Sequence, residues 1–534
     1  MSMKKITSWQ NLLLVFLIIA IIAGGAYCFI LLNEKERAAD IDLYTLVPND
    51  SFAIVETDNA GLLINCLDNA AYTEKIADLH ISKLLESFKN NLQSISDSKA
   101  HGFSKQMNRM LLSFHQPNNA RNQILYCQLK NGDEKFIEEY IKQNTSEQYP
   151  PKRFNYRNEE IIIYPVNATE FLACYYQPEF LAISFEKQLI EKVIDTHLDE
   201  TSILNDEYFS SIVKRNKINM EATIYQKGKN LQIGEENADV KIQRVAHWVE
   251  LNIKLNPDVI YLSGTCFDPD TCRSLNNAIK QQEPTEILSG KKIPSNTYLV
   301  TQASITNVRP ILTTFIGETC LTDQSSTDRQ HNDSCFYQFM QLQAGNSISI
   351  LMFGDTEKIE NQHAIAMLQL KNPSEAGMEL KRQINAMSFK QTYPKGIHVH
   401  QYYYPVLAMP NIQILENFTT LTSEYYYTCF YDDMLLIAAD TESIKQYLQM
   451  IDEGKVKEGE PLFDECHSHL ASESNLLLIA RMDRLVTMPS IYRQVMPSFF
   501  YQHMEFFQHF VLIAQFTESD DVIYPTLIMK YLNE

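Results

Sequence analysis

His398 and His400 stand two residues apart in a stretch, Ile397-His398-Val399-His400, that reads as a strand. Residues i and i+2 of a strand project from one face, so both imidazoles can reach one metal ion. No third ligand accompanies them, and a similar stretch earlier in the chain holds Asn158 and Glu160 instead. Solvated strand histidines are therefore the expected state. Asp464, Cys466, His467 and His469 form a second ligand-rich cluster. On a helix these four do not share a face, whereas a metal needs convergent ligands. Glu56 and Glu318 are lone carboxylates. General acid–base work needs two groups of separated pKa, or one with a positioned partner, so surface solvation is expected for both. The runs Tyr402-Tyr403-Tyr404 and Tyr425-Tyr426-Tyr427 can stack on glycans or peptides with the rings that a strand leaves outside. The G-x-S-x-G, phosphate-loop, H-E-x-x-H and G-x-G-x-x-G patterns are absent. No residue is thus assigned to catalysis, to a cofactor or to a metal, and a non-enzymatic role is expected.

Cysteine chemistry is the remaining option among ten cysteines. Cys266 and Cys272 lie close in sequence, and Cys320 and Cys335 bracket a polar loop, TDQSSTDRQHNDS. Both pairs are candidate disulfides in an oxidising compartment, the second contributing about 3 kcal/mol through loop closure. The spacings C-x5-C and C-x14-C do not resemble zinc sites. Cys66, Cys127, Cys174, Cys429 and Cys466 read as small buried hydrophobes.

The elements that must position these residues begin with an uncharged run, Leu12–Leu32. Its 21 residues span about 31 Å as a helix, the thickness of a bilayer's hydrocarbon core. Lys4 and Lys5 precede it, while Glu34 and Glu36 offset Lys35 and Arg37 after it, which keeps the N-terminus in the cytoplasm and sends the body outward. A cleaved signal peptide is the rival reading, but the run is long and no A-x-A site closes it. A lipoprotein box at Gly24-Gly25-Ala26-Tyr27-Cys28 is a third, against which stands bulky Tyr27. The chain has 534 residues, 45% hydrophobic, enough for two or three cored domains. Its formal net charge of -20, from 66 acidic and 46 basic residues, repels phosphate backbones and excludes nucleic acid as an expected partner.

The body repeats itself. Val47-Pro48-Asn49-Asp50-Ser51-Phe52 resembles Ile293-Pro294-Ser295-Asn296-Thr297-Tyr298, and Gln128-Leu129-Lys130-Asn131 recurs as Gln369-Leu370-Lys371-Asn372. Tyr164-Pro165-Val166 recurs as Tyr404-Pro405-Val406, Cys174-Tyr175-Tyr176 as Cys429-Phe430-Tyr431, and Asp258-Val259-Ile260-Tyr261 as Asp521-Val522-Ile523-Tyr524. Five matches keep their order at offsets between about 240 and 263. Short aromatic and β-branched runs such as Phe171–Tyr176, Phe180–Ser184, Tyr425–Tyr431 and Met434–Ala438 read as meandering strands. Few β-α-β alternations interrupt them, so the expected fold is antiparallel α+β. The expected organisation is a cytoplasmic tip (1–11), a transmembrane helix (12–32), a linker (33–45) and two tandem duplicated, mainly antiparallel α+β domains (46–290 and 291–534). The second copy alone carries an aromatic helix, whose Phe499, Phe500, His503, Phe506, Phe507 and Phe510 are a candidate docking surface. Packing against its own sheet is the other reading.

The anchor followed by Leu46-Val47-Pro48-Asn49-Asp50-Ser51-Phe52-Ala53-Ile54-Val55-Glu56-Thr57, an x-P-x-D-[AS]-x-A-x-x-E opening, resembles an uncharacterised family of single-pass envelope proteins of Gram-negative bacteria. The strand Leu435-Leu436-Ile437-Ala438, leading into a helix and an acidic loop, fits the same group. The resemblance implies an inner-membrane anchor and a periplasmic body, and it carries no known activity. The expected function is a scaffold, chaperone-like factor or accessory subunit that binds other envelope proteins. The alternatives are a small ligand, lipid or glycan in a cleft between the copies near 270–295, or a hydrolase with a site outside known motifs.

Overall fold

The computed structural model describes residues 41–79, 84, 109–116, 119–129, 150–167, 169–213, 220–228, 245–269, 274–316, 327–355, 361–390, 392, 394–419, 423–488 and 496–532. The expected membrane rod Leu12–Leu32, Cys28, Cys272, Cys320 and Glu318 lie outside them. Among the described residues no helix is long and apolar enough to cross a membrane. The architecture is mixed α+β, with antiparallel strand pairing throughout the large sheet, and it divides into two compact units. The first takes in residues 41–51, 109–116 and 121–206 of those described, and the second takes in the rest.

Strand β1 (Ala53–Thr57) belongs to the second unit. The first unit holds β2 (Met110–Phe114), β3 (Gln123–Gln128), β4 (Lys152–Tyr156), β5 (Glu159–Pro165), β6 (Phe171–Gln177) and β7 (Phe180–Ser184). They pair in the order β2-β3-β7-β6-β5-β4. Arg157 and Asn158 close the β4–β5 hairpin with φ of 53° and 69°, the left-handed pair that a two-residue hairpin turn requires. Helix α1 (Lys187–Asp199) lies on β6 and β7 through Leu189, Ile190, Val193 and Ile194, the apolar stripe of a 3.6-residue period.

The second unit continues from β1 with β8 (Ala222–Lys227), β9 (Trp248–Leu255), β10 (Val259–Phe267) and β11 (Thr297–Ser304). After these come β12 (Ala344–Gly354), β13 (Gln362–Leu370), β14 (Leu407–Pro410), β15 (Tyr425–Tyr431) and β16 (Met434–Ala438). Strands β17 (Leu476–Arg481), β18 (Phe510–Ser519) and β19 (Val522–Tyr531) complete it. Their order is β1-β8-β9-β10-β19-β18-β17-β11-β12-β13-β16-β15-β14. Because β10 pairs with β19, the compact unit runs across the sequence boundary expected at 290.

Alternation along the central strands feeds two cores. Ile348 and Ile350 of β12, Ala366 and Leu368 of β13, and Leu435 and Ile437 of β16 pack with helices α2 (Asp328–Gln343), α3 (Pro373–Ala386) and α4 (Gln413–Thr419). Leu351 and Phe353, Ile365 and Met367, and Leu436 and Ala438 pack on the other face with helix α5 (Thr441–Asp452). This double coverage is why Ile350–Phe353 and Leu435–Ala438 read as unbroken apolar runs. Caps fix the helix starts: Asn372 accepts from Ser374 N at 3.2 Å ahead of Pro373, and Asp440 accepts from Ser443 N at 2.7 Å.

Two local expectations are corrected. The strand read at Ile397–His400 ends at Val399; Ile397–Val399 and Tyr402–Tyr404 form a small hairpin whose turn takes His400, at φ 50°. The polar loop ahead of Cys335 is helical from Asp328, because Thr327 caps it by accepting from Gln330 N at 3.3 Å, and Asn332, Asp333 and Ser334 face inward.

Candidate functional site

The first unit contains a relay that no sequence pattern announces. Ser113 on β2 and His115 just past its end lie two residues apart, so they face the same side. Ser113 Oγ and His115 Nε2 are 2.9 Å apart, and His115 Nδ1 and Asp50 Oδ1 are 2.8 Å apart. Asp50 Oδ2 meets Lys192 Nζ at 2.5 Å. The connectivity is that of a serine–histidine–aspartate triad. The placement is not: Ser113 is fully buried with its hydroxyl 3.3 Å from the buried phenol of Tyr126, so Oγ is closed to a substrate carbonyl. The exposed end of the relay is the carboxylate, 47% exposed against 2% for the His115 side chain. Burial raises the Asp50 carboxyl, but the His115 and Lys192 hydrogen bonds outweigh it and hold the group well below the usual carboxylate range. The same burial pushes the Tyr126 phenol far above its ordinary value. The relay therefore ties the turn at residues 48–51 to β2 and α1.

The residues singled out from sequence disperse. His398 is on the hairpin strand, its ring tilted against that of Tyr403 with centroids 5.0 Å apart, while His400 sits in the turn, 3.4 Å from Asp452 Oδ2, so the two imidazoles engage different partners. In helix α6 (Pro461–Ser468), Cys466 is buried, Asp464 is exposed, and His469 lies past the end, beside the Tyr261 ring. Among the described residues no three His, Cys, Asp or Glu side chains are placed to hold a metal. Glu56 is 4% exposed rather than solvated, because β1 is covered on both faces. Cys127, Cys174, Cys266, Cys429 and Cys466 are buried free thiols, Cys335 is buried on α2, and Cys66 is half-buried. Burial lifts Cys466 to about 11 and Cys127 and Cys429 to about 12.

The aromatic stretch near the C-terminus is core. It forms two short helices, Ser498–Gln502 and Met504–Phe507. Phe506, Phe507 and Phe510 are buried with Tyr298, Leu512 and Tyr72, and Phe499 and Phe500 pack half-buried on the same cluster. Ring centroids 4.6 to 5.9 Å apart join Phe499, Phe500, Phe506, Phe507 and Phe510 into one nest, with His503 4.9 Å from Phe499. Phe506, Phe507 and Phe510 turn inward onto their own sheet, while Phe499, Phe500 and His503 stay half-buried at its margin.

Two features of the second unit bear on partner or ligand binding. Tyr402 and Tyr403, on the small hairpin, are 51% and 58% exposed. A cavity of about 500 Å³ lies by the start of α2, bordered by Arg329, Phe389, Lys390, Asn411, Glu424 and Tyr425. Asn332, also on its wall, is committed to the backbone, donating to Ser388 O at 3.2 Å and accepting from Ser388 N at 2.8 Å. Next along α2, Asp333 is fully buried and accepts from Ile414 N at 3.2 Å, while its Oδ2 has no hydrogen-bond partner. Burial pushes this carboxyl up to about 6 against the pull of those backbone donors. Sequence reasoning singled out Tyr425 but missed Asp333, which sat in a stretch read as loop.

No family model and no curated protein matches the chain. Two crystal structures of TP0453, forms IV and III, are similar to it at 10% identity and a TM-score of 0.25. They cover 43% and 47% of this chain and 82% and 90% of their own. A likeness of that size carries no argument about function.

Proposed function

We propose that the chain is a membrane-tethered periplasmic scaffold built from two descendants of one module, which binds other envelope proteins without catalysing a reaction. The tether is the uncharged run Leu12–Leu32. The duplication is supported by strand pairing. The first half pairs β2–β3, β3–β7, β6–β7 and β5–β6, and the second pairs β12–β13, β13–β16, β15–β16 and β14–β15 in the same sequence. The sets β1–β8–β9–β10 and β11–β17–β18–β19 also correspond.

The observation that carries protein binding is the Tyr402–Tyr403 ribbon. Adjacent strand residues point to opposite faces, yet both rings are more than half exposed. Tyrosine supplies large contact area at low entropy cost and is enriched at interface hot spots. The test is mild cross-linking in gentle detergent followed by affinity purification, with wild type beside the Tyr402→Ala/Tyr403→Ala double variant. The reading expects envelope proteins captured by wild type and lost by the variant. A monomer that captures nothing, or capture indifferent to both tyrosines, refutes it.

A further inference from the structure

The cavity beside α2 has a wall composition that selects one ligand chemistry. Its aromatic side is Phe389 and Tyr425, ring centroids 6.5 Å apart. Its charges balance: Arg329 is ion-paired to Glu416, and Lys390 stands on the same rim as Glu424. Asn411 is locked by its amide nitrogen, which donates to Glu416 Oε1 at 2.5 Å and to Ser423 O at 2.6 Å. That lock leaves Asn411 Oδ1 buried and closed to a ligand in the cavity. An anionic ligand would meet Glu424 as well as Lys390, while Arg329 is already neutralised by Glu416. An acyl chain would desolvate Arg329, Lys390 and Glu424. A neutral polyol suits this lining: its hydroxyls donate to Glu424 and accept from Lys390 and Arg329, and its C–H face packs on an aromatic ring. The volume of about 500 Å³ is within the range of small-ligand sites.

We propose that this cavity binds a neutral sugar unit. Phe389 and Tyr425 border the pyranose ring, Glu424 accepts from its hydroxyls, and Lys390 and the outer guanidinium nitrogens of Arg329 donate to its oxygens. This site is separate from the Tyr402–Tyr403 ribbon and stands or falls independently of it.

The test is saturation-transfer NMR on the full chain in a detergent without a sugar headgroup. The probes are N,N′-diacetylchitobiose and maltose, with inorganic phosphate as competitor. The expected result is saturable transfer from at least one disaccharide, unaffected by phosphate, with affinity reduced about tenfold in each of Phe389→Ala and Lys390→Ala. Lys390 is exposed, so its variant keeps the test valid if Phe389→Ala misfolds. Absence of transfer from both disaccharides, displacement by phosphate, or wild-type affinity in Lys390→Ala overturns the assignment.

Discussion

Replacing Asp333 with Asn should stabilise the protein, and only above a defined pH. Asp333 is fully buried on α2, its Oδ1 takes the Ile414 N–H, and its Oδ2 takes nothing. Burial lifts its carboxyl from 3.8 to about 6, with Glu416 adding to the rise and the Ile414 and Gln413 backbone donors and Arg329 opposing it. A raised acid is bound to its proton more tightly folded than unfolded. Its favourable contribution is therefore complete below about pH 4 and is lost as pH rises toward 6. At about 1.4 kcal/mol for each pH unit between those limits, the loss approaches about 3 kcal/mol above pH 6. Asn keeps the acceptor for Ile414 and never charges. Urea denaturation of wild type and Asp333→Asn from pH 4 to 8 checks this. Wild-type stability should gain a downward component between pH 4 and 6 that the variant lacks, and the variant should be the more stable at pH 7.5. Parallel curves for the two proteins, or a variant less stable at pH 7.5, would refute the account of a buried, half-satisfied carboxyl.

Phe506→Ala should cost about 3–5 kcal/mol, the usual cost of deleting a buried ring, measured by chemical denaturation, while leaving cross-linked partners unchanged; lost partners at full stability would restore the docking reading. Asp50 carries the opposite sign to Asp333. Its depressed carboxyl contributes stability above about pH 4, lost as pH falls below that value, so Asp50→Asn should flatten the acid limb of a pH-melting profile. Gln515 is 3% exposed and bonds both ways with Ala471, accepting from its N at 3.1 Å and donating to its O at 3.0 Å. Gln515→Ala should cost about 1–3 kcal/mol and speed hydrogen exchange at the Ala471 amide. Fluorophosphonate labelling should leave Ser113 unmodified in the folded protein, and labelling there would show that the relay opens.

The strands were legible where the chain is covered on both faces or alternates cleanly. Phe180–Ser184, Tyr425–Tyr431 and Met434–Ala438 run between the residues that β-propensity and turn residues mark. The hairpin at Ile397–Tyr404 was not, because His400 adopts a left-handed turn that glycine or asparagine would have signalled. The start of α2 was hidden by its composition: Asp328-Arg329-Gln330-His331-Asn332-Asp333 carries no apolar stripe, and the helix is held by a cap and by buried amides. The sites were less legible still. Asp50 and His115 lie 65 residues apart, and the cavity gathers residues from 329 to 425, separations that no spacing rule spans.

The proposed duplication also says where to look for specificity. The pairing that recurs in both halves is scaffold: β3 and β7 in the first half and β13 and β16 in the second are buried along almost their whole length, leaving no strand face for a partner. Recognition must then use what the halves do not share. The β4–β5 hairpin of the first half differs from the tyrosine ribbon: there Lys152, Arg153 and Glu160 surround a single exposed Phe154. Charged residues on an edge strand oppose adhesion, whereas paired exposed tyrosines favour it. Combining Tyr402→Arg with Tyr403→Phe is thus a sharper test than truncation to alanine. It keeps side chains that a strand accepts, and it should abolish partner capture while leaving stability within the small change typical of surface substitutions, about 0.5 kcal/mol.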